Sequence, residues 1–290
     1  MVKSTNISST ITVIGPRSSG KTTFLAGLAY FPQRKQQEGK QAKFKVIAGS
    51  DNNSQKLLKN AKRLILERSS FNPSKENNTY SFTIEIFSRG NEEKIFLQAI
   101  DFPGEGLDFI GDPSSKYREY LEERLTAKFN NFLILLADWE PPESDFTLSE
   151  TIDIFKKIVR EKANAEDLKE LKLAVVMNKC ERGELWPSRL TPKMDIFEQY
   201  LPDTIFELRS FLEEFGIPPE NLEFFAMSTF GVLDYDDPRP NRKDQLKKSR
   251  TATQKGEWDS VLRSPNKWNP YGMLSPIYWL ATSKRLPNGV

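Results

Sequence analysis

The chain has no histidine and a single cysteine, Cys180, in 290 residues. Without histidine the commonest general base and metal ligand is missing, which excludes Ser-His and Cys-His hydrolysis and histidine-bound zinc. One cysteine rules out an intrachain disulfide and suits a reducing cytoplasm. No apolar run approaches the roughly 18 residues that a membrane-spanning helix needs. The longest, Phe132 to Ala137, is strand-sized. The opening MVKSTNISST has no apolar signal region. An excess of either charge is also lacking: 42 Lys and Arg face 40 Asp and Glu, a net of +2, so nothing in the balance demands nucleic acid or an anionic membrane. Hydrophobic content is 38%, low enough to predict long polar loops around one core.

What is present is alternation. Strand patterns at 10–14, 80–87, 94–100, 132–137, 172–177 and 222–227 are interleaved with helical patterns at 21–30, 115–129, 148–162, 194–215 and 272–284. This predicts an α/β fold: a six-stranded, mostly parallel sheet with helices on both faces. The exception is 80–87 with 94–100. Only SRGNEE separates them, so they form an antiparallel hairpin. Ser275 and Pro276 read as the cap and first residue of the last helix. Residues 1–290 read as one domain with two insertions. The first, 31–79, carries an amphipathic helix over 54–68. The second, 236–270, is rich in Pro, Lys and Arg and reads as a flexible loop. From Arg239 to Lys267 nine basic residues face three acidic ones, a net of +6, with Trp258 and Trp268 nearby. Basic charge with aromatics can bind nucleic acid. The spacing matches no nucleic-acid module, so a solvated loop or a protein partner is the stronger expectation.

The most informative stretch is GPRSSGKT, Gly15 to Thr22. It matches G-x-x-x-x-G-K-[ST], follows a strand and opens a helix, which is the context a phosphate-binding loop requires. Gly15 and Gly20 let the backbone of Arg17, Ser18 and Ser19 wrap phosphates with its N–H groups. The helix N-terminus, through Thr23, adds partial positive charge. Lys21 supplies a point cation, and Thr22 offers a hydroxyl to Mg²⁺. Further along, LQAIDFPGEG places Asp101 at a strand end with Gly104 three residues later. An Asp there can hold Mg²⁺ through a water, and a Gly can present its N–H to a terminal phosphate. AVVMNKC ends another strand in Asn178-Lys179, and FFAMSTFG places Ser228-Thr229 after the sixth strand.

These four elements, in this order and spacing, resemble the Ras-like small GTPases and their bacterial relatives over about residues 8–235 plus the closing helix. The resemblance implies a P-loop fold that binds GTP or GDP with Mg²⁺, turns over slowly and acts as a switch with a protein effector or activator. It implies that Gly15 to Thr22 hold phosphates, that Asp101 and Gly104 sense the γ-phosphate and that Asn178-Lys179 packs on guanine. Ser228-Thr229 then stand in the loop that borders the base. Thr79, 22 residues before Asp101, takes the place of the switch threonine that caps Mg²⁺, with Ser81 and Thr83 as competitors. The closing NPYGMLSPIYWLAT resembles the last helix of bacterial GTPase-like domains, some of the double-GTPase type.

Three departures stand out. Glu181 replaces the Asp of N-K-x-D: it keeps the carboxylate that accepts from guanine's N1–H and exocyclic amine, one methylene further out. Glu105 follows D-x-x-G where small GTPases often carry a water-orienting Gln, and its charge beside a γ-phosphate predicts slow hydrolysis. Arg17 stands where many have Gly, with solvent as its expected destination. Lys21, Glu105 and Thr79 are therefore the candidates for catalysis, and Thr22, Asp101 and Thr79 for the metal. Two alternatives stay open: a nucleotide-binding scaffold without turnover, and a P-loop ATPase with Asp138 as its acidic residue.

Overall fold

The computed structural model describes residues 3–37, 44–67, 77–88, 91–127, 130–137, 148–162, 165–183, 185–234, 238–246 and 258–286. Asp138 lies outside them. The order is β1 (Lys3–Ile14), α1 (Lys21–Gln37), β2 (Phe44–Ala48), α2 (Asn52–Glu67), β3 (Asn78–Ser88), β4 (Asn91–Asp101) and α3 (Lys116–Thr126). Then come β5 (Asn130–Leu136), α4 (Leu148–Lys162), α5 (Ala165–Leu168), β6 (Lys172–Met177), α6 (Leu185–Ser188), α7 (Pro202–Glu214), β7 (Leu222–Ala226), β8 (Arg242–Leu246), β9 (Trp258–Leu262) and α8 (Ser275–Thr282).

Seven strands form the main sheet, in the order β2-β3-β4-β1-β5-β6-β7. From β4 to β7 the pairing is parallel, while β3 runs antiparallel to both β4 and β2. The sequence pattern predicts six strands, and the seventh is β2. It is five residues long, FKVIA, and lies within the stretch read as an insertion. The alternation Phe44, Val46, Ala48 inward is a genuine strand signal, but too short to stand out beside the helix that follows it.

Alternation along β1 explains the layers. Ile11 and Val13 face a core that holds Phe24, Leu25 and Leu28 of α1, Leu57 and Leu64 of α2 and Ile277, Trp279 and Leu280 of α8. Ile14, on the other face, joins Leu121 of α3, Phe155 of α4 and Leu208 and Phe211 of α7. Helices on both faces let parallel strands such as β6, KLAVVM, be apolar throughout. The last helix begins one residue earlier than its sequence signal. Leu274 is the cap, so Pro276 occupies the second helical position, where its missing N–H costs nothing. The basic stretch also differs from expectation, since Arg242–Leu246 and Trp258–Leu262 pair as an antiparallel hairpin. No described helix is long and apolar enough to cross a membrane.

Asp51 caps α2: its Oδ1 accepts from the Ser54 N–H at 2.9 Å and its Oδ2 from the Ser54 hydroxyl at 2.6 Å. The Ser54 Oγ in turn accepts from the Ser81 N–H at 2.8 Å, so the cap also fixes β3. Asp51→Ala should therefore lower the unfolding free energy by about 0.5–2 kcal/mol, read by thermal or denaturant melting. An unchanged midpoint would deny the cap its role.

Candidate functional site

β1 ends at Ile14 in the middle of the sheet, and the chain turns at once into GPRSSGKT. Gly15 adopts φ +152°, and a Cβ on it would fall 2.2 Å from the Leu135 carbonyl oxygen of β5. No other residue fits there. Ser18 follows at φ +61°, and the Phe24 N–H donates to the Gly20 carbonyl at 2.8 Å as α1 begins. The first turn of α1 contains no acidic residue. Its N–H groups and the loop amides leave a positive end for an anion.

Lys21 closes the loop on itself. Its Nζ donates to the carbonyls of Gly15 at 2.7 Å and Pro16 at 3.0 Å, with the side chain buried. Burial lowers its pKa from 10.5 to about 8, against the pull of Asp101. Asp101 ends β4 opposite Val13 and is fully buried. Its Oδ2 accepts from the Thr22 hydroxyl at 2.7 Å, and its Oδ1 has no partner. Burial raises the Asp101 carboxyl, while the Thr22 hydroxyl and Lys21 hold it down.

The 3-10 turn Gly104–Phe109 leaves β4 and rests against the phosphate loop. A Cβ on Gly104 would lie 2.9 Å from the Arg17 N and Cα and 3.1 Å from Lys21 Nζ. Only a residue without a side chain allows that approach. Arg17 Nη2 lies 3.1 Å from Glu105 Oε1, so the two departures from the small-GTPase pattern form one ion pair. Arg17 is 65% exposed and Glu105 41%, so the pair contributes little to stability. Arg17 does reach solvent, as its length predicts, but with a partner. Thr79 pairs with Ile100 on β3, next to the Asn78–Asp101 pair, and its side chain is exposed. Its competitor Ser81 is engaged with α2, and Thr83 lies further from the Asp101 end.

On the other side of β1, Asn178 follows β6. Its Nδ2 donates to the Ser19 carbonyl at 2.8 Å, tying this loop to the phosphate loop. Lys179 has φ +59°. The Cys180 thiol donates to the Met177 carbonyl at 3.1 Å, and burial pushes it up to about 12, so it is inert. Glu181 is fully buried. Its Oε2 accepts from the Ser228 hydroxyl at 2.7 Å and its Oε1 has no partner. Burial raises its carboxyl, against the Ser228 hydroxyl, Arg242 and Lys179. The Thr229 carbonyl accepts from Trp268 Nε1 at 2.8 Å. Trp268, which the sequence places beside the basic stretch, is buried and stacked on Tyr30, so it braces this loop and offers no face to a base. The Trp258 side chain lies outside the described residues.

Ser19 Oγ, Asp101 Oδ1, Asn178 Oδ1, Glu181 Oε1 and Thr229 Oγ1 are all buried without a hydrogen-bond partner. They sit on the loops that leave the ends of β1, β4, β6 and β7. Buried polar groups are nearly always satisfied, so these five atoms make the strand ends the candidate site. Among the described residues no three His, Cys, Asp or Glu side chains gather to cage a metal. Thr22 and Asp101 nevertheless supply hard oxygens that suit Mg²⁺, provided phosphates and water complete its shell.

No family model matches the chain, and no curated relative does. Among solved structures it is similar to the signal recognition particle receptor SRb-GTP/SRX complex from Chaetomium thermophilum, at 15% identity and a TM-score of 0.39, over 77% of this chain and 91% of that one. It is similar to the S. cerevisiae Ski7 GTPase-like domain bound to GTP, at 14% identity and a TM-score of 0.42, over 80% of this chain and 46% of that one. It spans less than half of that second structure. It is also similar to the G domain of the T. maritima FeoB iron transporter, at 13% identity and a TM-score of 0.30, over 77% and 88%. The chain resembles P-loop GTPase domains. At such distances the likeness carries no residue role, and roles rest on the site itself.

Two outcomes follow for Lys21. Lys21→Ala should weaken binding of a nucleoside triphosphate by roughly ten- to hundred-fold or more and leave the fold intact, read by titration and circular dichroism. Unchanged affinity would remove the phosphate-loop assignment. Between about pH 8 and pH 10.5 the unfolded chain keeps the Lys21 proton that the folded chain has lost, so this group makes stability rise with pH across that window. A bound triphosphate should restore the proton. Its affinity should therefore fall as pH passes about 8, and Lys21→Arg should remove that slope.

Proposed function

We propose that this chain binds GTP with Mg²⁺, hydrolyses it slowly to GDP and phosphate and works as a nucleotide-controlled switch. The observation that carries the reading is Asp101. It is buried beside the phosphate loop, one oxygen accepts the Thr22 hydroxyl and the other is unpaired. A carboxylate is left in that condition only where a cationic or hydrogen-bonding ligand completes it.

In this reading the amides of Gly15 to Gly20 and the start of α1 bind the phosphates, and Lys21 adds its charge to the outer ones. Thr22 and Asp101 hold Mg²⁺, with Thr79 as the additional ligand from β3. Mg²⁺ would supply charge neutralisation between the phosphates. Gly104 offers its N–H to the terminal phosphate, and its contact with Arg17 couples the 3-10 turn to what the loop holds. Hydrolysis joins a water oxygen to the terminal phosphorus and breaks the bond to the β-phosphate oxygen. Glu105 is the group assigned to that water. Its negative charge opposes the approach of the phosphate, and its ion pair with Arg17 offsets part of the cost. The same pair favours a second reading, in which nucleotide is held without useful turnover and the protein serves as a scaffold subunit. A protein effector or activator is the partner expected in either case.

The base falls between Lys179, whose aliphatic stem lies across it, and Glu181, whose unpaired Oε1 accepts from guanine. Adenine lacks that pair of donors. Glu181→Ala should weaken GTP by about 1–3 kcal/mol, roughly ten- to hundred-fold, and leave ATP nearly unchanged, measured as dissociation constants in both proteins. A wild type that prefers ATP, or a variant that loses both nucleotides equally, would reject the guanine assignment. Glu105→Gln should raise single-turnover hydrolysis or leave it unchanged, because the amide adds a donor and no charge. A large fall would make Glu105 itself the proton acceptor.

A further inference from the structure

The hairpin of β8 and β9 has no part in the reading above, although it is stitched to the base-side loops. The Asn241 N–H donates to the Gly231 carbonyl at 2.9 Å, and the Leu233 N–H to the Arg239 carbonyl at 2.9 Å. The Asn241 side chain is fully buried. Its Oδ1 accepts from the Ser264 N–H at 2.7 Å and its Nδ2 donates to the Ser264 carbonyl at 2.9 Å, which locks the two ends of the hairpin together. The Gly231 N–H donates to Ser228 Oγ at 2.7 Å, and that hydroxyl donates to Glu181. An unbroken path of short contacts thus runs from the Glu181 carboxylate to the residue next to Arg242.

Arg242 opens β8 with its side chain 12% exposed. Its Nε donates to Asp244 Oδ1 at 2.8 Å, and its Nη1 is buried with no partner. The backbone bonds hold the hairpin beside the loop after β6, where the Arg242 charge acts on Glu181 and the Arg182 charge on Asp244. One unsatisfied buried donor, Arg242 Nη1, and one unsatisfied buried acceptor, Glu181 Oε1, thereby come from two elements that face the same region. A ligand that satisfies both carries donors and acceptors side by side. Guanine does, with N1–H and the 2-amine for the carboxylate and O6 and N7 for a guanidinium, which is the group that proteins most often turn to those two atoms.

We infer that the β8–β9 hairpin forms part of the base site and that Arg242 donates to the O6/N7 edge of guanine. This rests on the GTP reading above and extends it to a residue outside the N-K-x-D pattern. The insertion then gives the chain a second means of selecting guanine, and it compensates for a carboxylate set one methylene too far.

The test is titration of Mg·GTP and Mg·ATP into wild type, Arg242→Gln and Arg242→Lys, with melting curves to confirm folding. GTP and ATP share their phosphates, so the ratio of the two affinities isolates the base. Arg242→Gln should weaken GTP about tenfold or more and lower the GTP-over-ATP preference by the same factor. Arg242→Lys should lie between. Equal weakening of both nucleotides, or no change in either, would overturn the inference while leaving a guanine-preferring wild type and the GTP reading intact. A wild type that prefers ATP would overturn both.

Discussion

A buried ammonium organises this protein. Lys21 is held by the carbonyls of Gly15 and Pro16 and shares its buried surroundings with the Asp101 carboxylate. Neither ion is fully matched: burial draws the lysine down and the carboxyl up, towards neutrality. Two ions kept from water with only partial compensation cost stability, and such a cost is borne where a ligand completes the arrangement. In the proposed reading a polyphosphate with Mg²⁺ would do so at once, by giving Lys21 its counter-charge and Asp101 a cation.

The sheet explains why these groups meet. β1 lies between β4 and β5: the chain first fills one side of it, from the edge strand β2 inward through β3 to β4, and then the other side, outward from β5 to β7. Crevices at the carboxyl ends of parallel strands open where the order reverses in this way. The phosphate loop leaves β1 at that point, Asp101 and the 3-10 turn leave its neighbour β4, and Asn178 reaches across from β6 to Ser19. Four strand ends thus supply one site. Gly15 and Gly104 mark where the backbone comes too close for any side chain.

Much of this is legible in the sequence because it depends on local signals. Strand, glycine loop and helix are contiguous in 10–30, and the order Asp101, Asn178, Ser228 follows from strand ends that apolar runs reveal. What the sequence hides depends on distant partners. β2 is a strand because β3 pairs with it, and five residues between two helices do not announce that. The basic stretch reads as a loop because RKDQL and WDSVL are short, mostly polar and carry no apolar alternation, so only their pairing with each other makes them strands. Trp268 stands beside the basic stretch in the sequence, and nothing local shows that α1 gives it Tyr30 to stack on. The Arg17–Glu105 pair joins residues 88 positions apart, which neither motif hints at.

The most direct test of the central claim is competition for the wild-type site. The protein is incubated with equal GTP and ATP in Mg²⁺, freed of unbound nucleotide, and the bound fraction is identified by chromatography or mass spectrometry. Guanine nucleotide, close to one per chain and lost when Mg²⁺ is chelated, is the result this account predicts. Adenine nucleotide, or no nucleotide at all, would contradict it.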